Sequence, residues 1–135
     1  GLIDRMASSQ EIQASDAIIA IEARGFIFGS AIAFHSGKPM IVARKPNKLP
    51  GKLLMKKYDL EYGSNILTIQ KESIEKYKRF SVVDDVLATG GTAKCVSDLM
   101  LSAGKEILGY SMVIEIASLN GRNNLMGPVN SQVII

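Results

Sequence analysis

The chain carries one cysteine, Cys95, and one histidine, His35, in 135 residues. A lone cysteine excludes an internal disulfide framework and suits a reducing compartment, so a cytoplasmic location is expected. Its place on a helix after a glycine turn fits a small buried hydrophobe better than a nucleophile. A lone histidine, beside the Ser36-Gly37 helix stop, has too few partners for a metal cluster and reads as a capping or surface residue. The sequence has no G-x-x-x-x-G-K-S/T loop, no G-x-G-x-x-G fingerprint and no G-x-S-x-G elbow, which removes three common nucleotide and nucleophile sites. Its apolar runs are strand-length and broken by charge, so no membrane association is expected. Repeats, low-complexity tracts and Pro/Ser-rich linkers are also missing.

What is present is the composition of a folded domain: 47% hydrophobic and 21% charged residues, enough chain for one core over residues 1–135. The net charge of +3 is small, but Arg44, Lys45, Lys48, Lys52, Lys56 and Lys57 crowd one segment. That cluster suits a solvated loop, a nucleic-acid patch or a polyphosphate clamp. No aromatic ladder for stacking bases runs through it, which weighs against nucleic acid.

Along the chain, Leu2, Ile3, Met6 and Ile12 follow a loose helical spacing. Ala17 to Glu22 is a buried strand by its continuous apolar run, followed by an Arg24-Gly25 turn and a helix from near Phe26 to Gly37. Met40 to Ala43 is a second short strand, and RKPNKLPG, residues 44–51, is a loop. Residues 52–70 read as an inserted, flexible hairpin turning at Gly63-Ser64-Asn65, and Lys71 to Phe80 as a polar connection into the next strand. EILGYSMVIEIASL is a long strand, LNGRNNLMG a short helix or turn, and QVII a last strand. Strands alternating with helices predict a doubly wound α/β fold with a mostly parallel sheet.

The central stretch is FSVVDDVLATGGTA, residues 80–93. Val82 and Val83 fill a parallel strand, Asp84 and Asp85 stand at its carboxyl end, and Ala88, Thr89, Gly90, Gly91 and Thr92 turn into a helix. Ligands bind at this edge of open α/β sheets. Glycines let backbone N–H groups approach an anion, with the positive end of the helix behind them and threonine hydroxyls beside them. With Arg24 and the basic loop at neighbouring strand ends, the pattern fits a ligand bearing a phosphate, a sugar and a pyrophosphate.

VVDDVLATGGTA resembles the signature with which the type I phosphoribosyltransferases bind 5-phosphoribosyl 1-pyrophosphate. ARGFIFG, RKPNKLPG and YDLEYG resemble the members of that family that act on adenine. The resemblance implies that Asp84 and Asp85 bind the ribose hydroxyls and that Ala88, Thr89, Gly90, Gly91 and Thr92 hold the 5-phosphate. It gives the leaving pyrophosphate to Arg24, Arg44, Lys45 and Lys48, with Mg²⁺ carried mainly by the substrate and no metal ligand supplied directly by the protein. Arg24 and Glu61 are then the catalytic pair, Glu61 managing the purine proton, while Phe26 lies near the purine and Tyr62 sits on a loop that closes over the site. A homodimer is implied as well. Departures from the family pattern are Asn47 at a glycine position and Lys56 and Lys57 where small or polar residues are usual, and the chain is expected to be truncated at its N-terminus, without the segment that forms the hood over the base. Two alternatives stay open: a different purine base, guanine or xanthine, and a regulatory module that binds the donor without turnover.

Overall fold

The computed structural model describes residues 1–60 and 63–135. Five strands form one parallel sheet: β1 (Ala17–Ile21), β2 (Met40–Ala43), β5 (Arg79–Leu87), β6 (Glu106–Glu115) and β7 (Val129–Ile134), in the order β2-β1-β5-β6-β7. Strands β3 (Leu53–Leu60) and β4 (Gly63–Gln70) form a separate antiparallel hairpin. Helices α1 (Leu2–Ala7), α2 (Gln10–Ala14), α3 (Arg24–Ser36), α4 (Lys71–Ile74) and α5 (Gly91–Ser102) complete the layers, with two 3₁₀ turns, Ala117–Leu119 and Gly121–Asn124.

Every residue of β1 is buried, as a central parallel strand with both faces covered requires. Period-two alternation sorts its neighbours into two cores. Ile19, Ile21 and Val82 join Val96, Met100 and Tyr110 on the α5 face, while Ile18 and Val83 join Met6, Ile12 and Ile32 on the α1 and α3 face. Truncating one such buried isoleucine to alanine costs about 2–5 kcal/mol. Cys95 is buried in the first of these cores, and burial pushes its thiol up to about 11, so it serves packing. His35 is half-exposed and pairs with Asp4 at 2.8 Å. Gly37 ends α3 in the left-handed conformation, φ 73°, its N–H directed to the Ala33 carbonyl.

The strand order has a direct consequence for the site. After β1 the chain crosses to β2 on one side, and after β5 it crosses to β6 on the other. The two crossovers diverge between β1 and β5, opening a crevice at their carboxyl ends.

Four local expectations are corrected. Gly63, Ser64 and Asn65 lie within β4, paired with Leu60, Asp59 and Tyr58, so they belong to the strand despite their turn-like composition. The connection from Lys71 opens with the short helix α4. The N-terminal helix is broken at Ser8-Ser9, where the Ser9 hydroxyl caps α2 by accepting from the Ile12 N–H. Asp84 and Asp85 do not end their strand: β5 continues through Val86 and Leu87, because Asp84 to Leu87 pair in register with Met112 to Glu115 of β6. Among the described residues no helix is long and apolar enough to cross a membrane.

Candidate active site

The crevice between β1 and β5 holds a cavity of about 480 Å³, with Arg24, Lys45, Asp84, Asp85, Ala88 and Thr92 among its lining residues. A smaller recess of about 80 Å³ adjoins it, walled by Asp84 and the Ala88–Thr92 loop. Tyr58 and Asn65 of the hairpin close one side of the larger cavity. The end of β3 also leans on the loop, since a methyl added to Gly91 would lie 3.9 Å from the Asp59 carbonyl oxygen.

The two aspartates occupy different environments. Asp84 is the more deeply set, and burial, reinforced by the adjoining Asp85 carboxylate, pushes it up to about 7. Its Oδ1 accepts the Asp85 N–H at 2.8 Å. Burial is the largest single influence on Asp85 and raises it, but the Arg24 guanidinium, the Asp84 carboxyl and the Val86 N–H together hold Asp85 below the usual carboxylate range. Arg24 Nε donates directly to Asp85 Oδ2 from an otherwise exposed side chain. Arg24 starts α3, just past the cis peptide between Glu22 and Ala23.

The shape of the Ala88–Thr92 loop follows from its glycines. Gly90 caps α5 with φ 87°, a conformation that side chains rarely adopt. The loop therefore turns sharply enough for α5 to begin at Gly91, and Gly91, Thr92 and Ala93, in the first turn where helix N–H groups lack partners within the helix, line the recess.

The basic loop after β2 is partly anchored. Arg44 exchanges backbone hydrogen bonds with Thr68 of β4, at 3.0 and 2.7 Å, tying the hairpin to the sheet. Its guanidinium lies 5.7 Å from the centre of the Phe26 ring and donates to Glu22 Oε1 at 3.2 Å. The same carboxylate oxygen accepts the Lys45 backbone N–H at 2.8 Å. Asn47 is left-handed, φ 65°, in the way an asparagine at a glycine position can be.

The fold thus brings Arg24, Lys45, Asp84, Asp85 and the Ala88–Thr92 loop to one crevice. Arg44 and Phe26 stand together beside it. Lys48 is exposed on its loop and outside the cavity lining. Glu61 and Tyr62 lie outside the described residues. Three supporting residues carry no local signal: Glu22, which gathers Arg44 and Lys45, and Gly121 and Asn124, which back the glycine loop. Only the register of distant strands brings them in.

Comparison with known proteins agrees with this geometry. The model of the phosphoribosyl transferase domain family matches residues 3–132. An adenine phosphoribosyltransferase of Prochlorococcus marinus strain MIT 9211 is 58% identical over 134 residues, 99% of this chain and 78% of the relative. This chain belongs to the adenine phosphoribosyltransferase family. The fold comparison is consistent with that membership. The crystal structure of the Rhodothermus marinus adenine phosphoribosyltransferase superposes with a TM-score of 0.91 at 34% identity, over 99% of this chain and 77% of that one. The Saccharomyces cerevisiae enzyme, solved with an imino-altritol bisphosphate and adenine, gives 0.83 at 34% identity, over 97% and 72%.

Proposed function

We propose that this chain transfers the phosphoribosyl group of 5-phosphoribosyl 1-pyrophosphate to adenine, giving AMP and pyrophosphate in purine salvage. The observation that carries the reading is the juxtaposition, across one crevice, of the Asp84-Asp85 pair, the glycine loop and the cations Arg24 and Lys45. The loop and the Thr89 and Thr92 hydroxyls hold the 5-phosphate, and ionised Asp84 and Asp85 accept hydrogen bonds from the ribose hydroxyls. Arg24, Arg44 and Lys45 face the pyrophosphate, with Lys48 reaching in from its loop. Phe26 offers an apolar surface near the base.

In the reaction the bond from the anomeric carbon to the pyrophosphate oxygen breaks, a bond to a purine ring nitrogen forms, and one proton leaves the base. Positive charge develops on the sugar and negative charge on the leaving group. The protein's contribution is therefore fixed cations, oriented donors and exclusion of water more than a nucleophile. Glu61 receives the proton and Tyr62 belongs to the closing segment, on the strength of the YDLEYG resemblance.

The paired carboxylates Asp84 and Asp85 at the crevice fit Mg²⁺, which binds through one or two carboxylates plus substrate phosphates and keeps several waters. Asp84 and Asp85 would face it through the ribose hydroxyls. When bound with the substrate it neutralises charge on the departing pyrophosphate. A cytoplasmic homodimer fits the reading: Cys95 suits a reducing compartment, and Ile27 and Phe34, 68% and 92% exposed on α3, supply apolar surface for a second copy.

The test is an assay of AMP and pyrophosphate formation with adenine, guanine and xanthine in turn. Equal amounts of AMP and pyrophosphate with adenine, and kcat/KM lower by about a hundredfold or more with the other bases, are expected. Turnover with guanine or xanthine but not adenine reassigns the base. Donor binding without pyrophosphate release would make the chain a sensor.

A further inference from the structure

The segment between β6 and β7 touches neither substrate cavity, yet it is built against the back of the glycine loop. Asn124 Nδ2 donates to the Thr89 carbonyl oxygen at 2.7 Å. Gly121 lies so close that a methyl on it would fall 2.3 Å from the Ala88 carbonyl oxygen, and a methyl on Gly90 would fall 2.6 Å from the Gly121 carbonyl oxygen. Two backbones meet here with no side chain between them.

The Gly121–Asn124 turn is itself held down. Arg122 grips Glu115, at the end of β6, through Nε at 2.8 Å and Nη2 at 2.5 Å, and Ser131 Oγ of β7 donates to the same carboxylate at 2.8 Å. Glu115 is 3% exposed, so this two-pronged pair is shielded from solvent on the acid's side. The turn is thus referenced to two strands of the sheet.

The direction of the Asn124 bond gives it a consequence for the ligand. In a trans peptide the carbonyl and the following N–H point opposite ways. Tying the Thr89 carbonyl back to Asn124 therefore turns the Gly90 N–H away from the turn, toward the side on which the phosphate recess lies. Without that tie, the peptide between exposed Thr89 and left-handed Gly90 is held only by the packing of Gly90 against Gly121.

We propose that Asn124 is a positioning residue for phosphoribosyl binding, fixing the Thr89–Gly90 peptide from behind the loop, with Arg122, Glu115 and Ser131 anchoring the turn that carries it. The inference rests on the assignment of Ala88–Thr92 as the 5-phosphate cradle.

Binding of ribose 5-phosphate and of pyrophosphate to the full chain, measured separately by calorimetry, tests it. Asn124→Ala is expected to weaken ribose 5-phosphate about tenfold, the equivalent of one lost hydrogen bond, and to leave pyrophosphate within about twofold. Asn124→Gln, which keeps a donor on an exposed side chain, is expected to recover most of the loss. Unchanged ribose 5-phosphate affinity in Asn124→Ala, or equal loss for both ligands, overturns the inference. Should Asn124→Ala fail to fold, Asn124→Leu, similar in size and without the donor, carries the same comparison. The double variant Thr89→Ala/Thr92→Ala separates the two levels. If it loses ribose 5-phosphate and Asn124→Ala does not, only the positioning role falls. If neither loses it, the cradle assignment falls too.

Discussion

Gly25 stands against Asp84 so tightly that a methyl on its α-carbon would lie 2.9 Å from the carboxylate Oδ1 and 3.4 Å from the Asp84 Cα. The first turn of α3 therefore seats a side chain assigned to the ribose. Gly25→Ala displaces the carboxylate before it displaces the strand. We expect KM for the phosphoribosyl donor to rise about tenfold, the order of one lost hydrogen bond, while Tm falls by only a few degrees. Steady-state kinetics with varied donor, beside a thermal melt, checks this; a large Tm loss with unchanged KM would make the contact structural only.

Protonation of Asp84 gives a second prediction. The group sits at about 7 in the folded chain against 3.8 for the ordinary carboxyl. Between those values the folded chain holds a proton that the unfolded chain has lost. Stability therefore declines as pH rises from about 4 to 7, and the penalty is complete above 7. Asp84→Asn is expected to raise Tm at pH 8 by about 3 °C more than at pH 5. Ribose hydroxyls need the ionised acid, so ribose 5-phosphate affinity is expected to climb about tenfold from pH 6 to pH 8 beyond the ligand's own phosphate titration near 6. In Asp84→Asn only the ligand's titration should remain.

The Arg122–Glu115 pair sets a different pH limit. The Arg122 guanidinium holds Glu115 down at about 2 against an ordinary 4.5. A depressed carboxylate contributes stability above its unfolded value and loses it as pH falls through the folded one, here between about 4.5 and 2. Glu115→Gln is expected to melt about 5 °C below the parent at pH 6, with the gap closing toward pH 2–3. Melting curves across that range decide it, and a constant gap would deny the pair its role.

The residues that form the crevice were legible to different degrees. The DD-x-x-x-x-GG pattern is local, and its chemistry follows from adjacent residues, so the pair and the loop could be read directly. Strand ends could not. Asp84-Asp85 looked like an exit because charge ordinarily marks one, but pairing with Met112 to Glu115 extends β5 by two more residues. Gly63-Ser64-Asn65 has turn composition, yet the hairpin register draws it into β4. The supports behind the loop, Gly121 and Asn124, lie over 30 positions from the peptides they touch, and LNGRNNLMG alone says only that a turn is there.

Glu22 illustrates the same point and carries a fourth prediction. It reads as the last residue of a strand, but its Oε1 receives both the Arg44 guanidinium and the Lys45 N–H. Glu22→Gln keeps an acceptor and loses the charge. Pyrophosphate affinity is expected to fall about threefold to tenfold, with ribose 5-phosphate unchanged, as measured by calorimetry. Equal effects on both ligands would contradict the separation of the two halves of the site.

The central claim is that Asp84 and Asp85 hold the ribose while the chain makes AMP from adenine. AMP formation by Asp84→Asn/Asp85→Asn, measured beside the parent with adenine, donor and Mg²⁺, tests it most directly. The account predicts a loss of about a thousandfold in kcat/KM with the fold retained by thermal melt. Activity within about tenfold of the parent would contradict it.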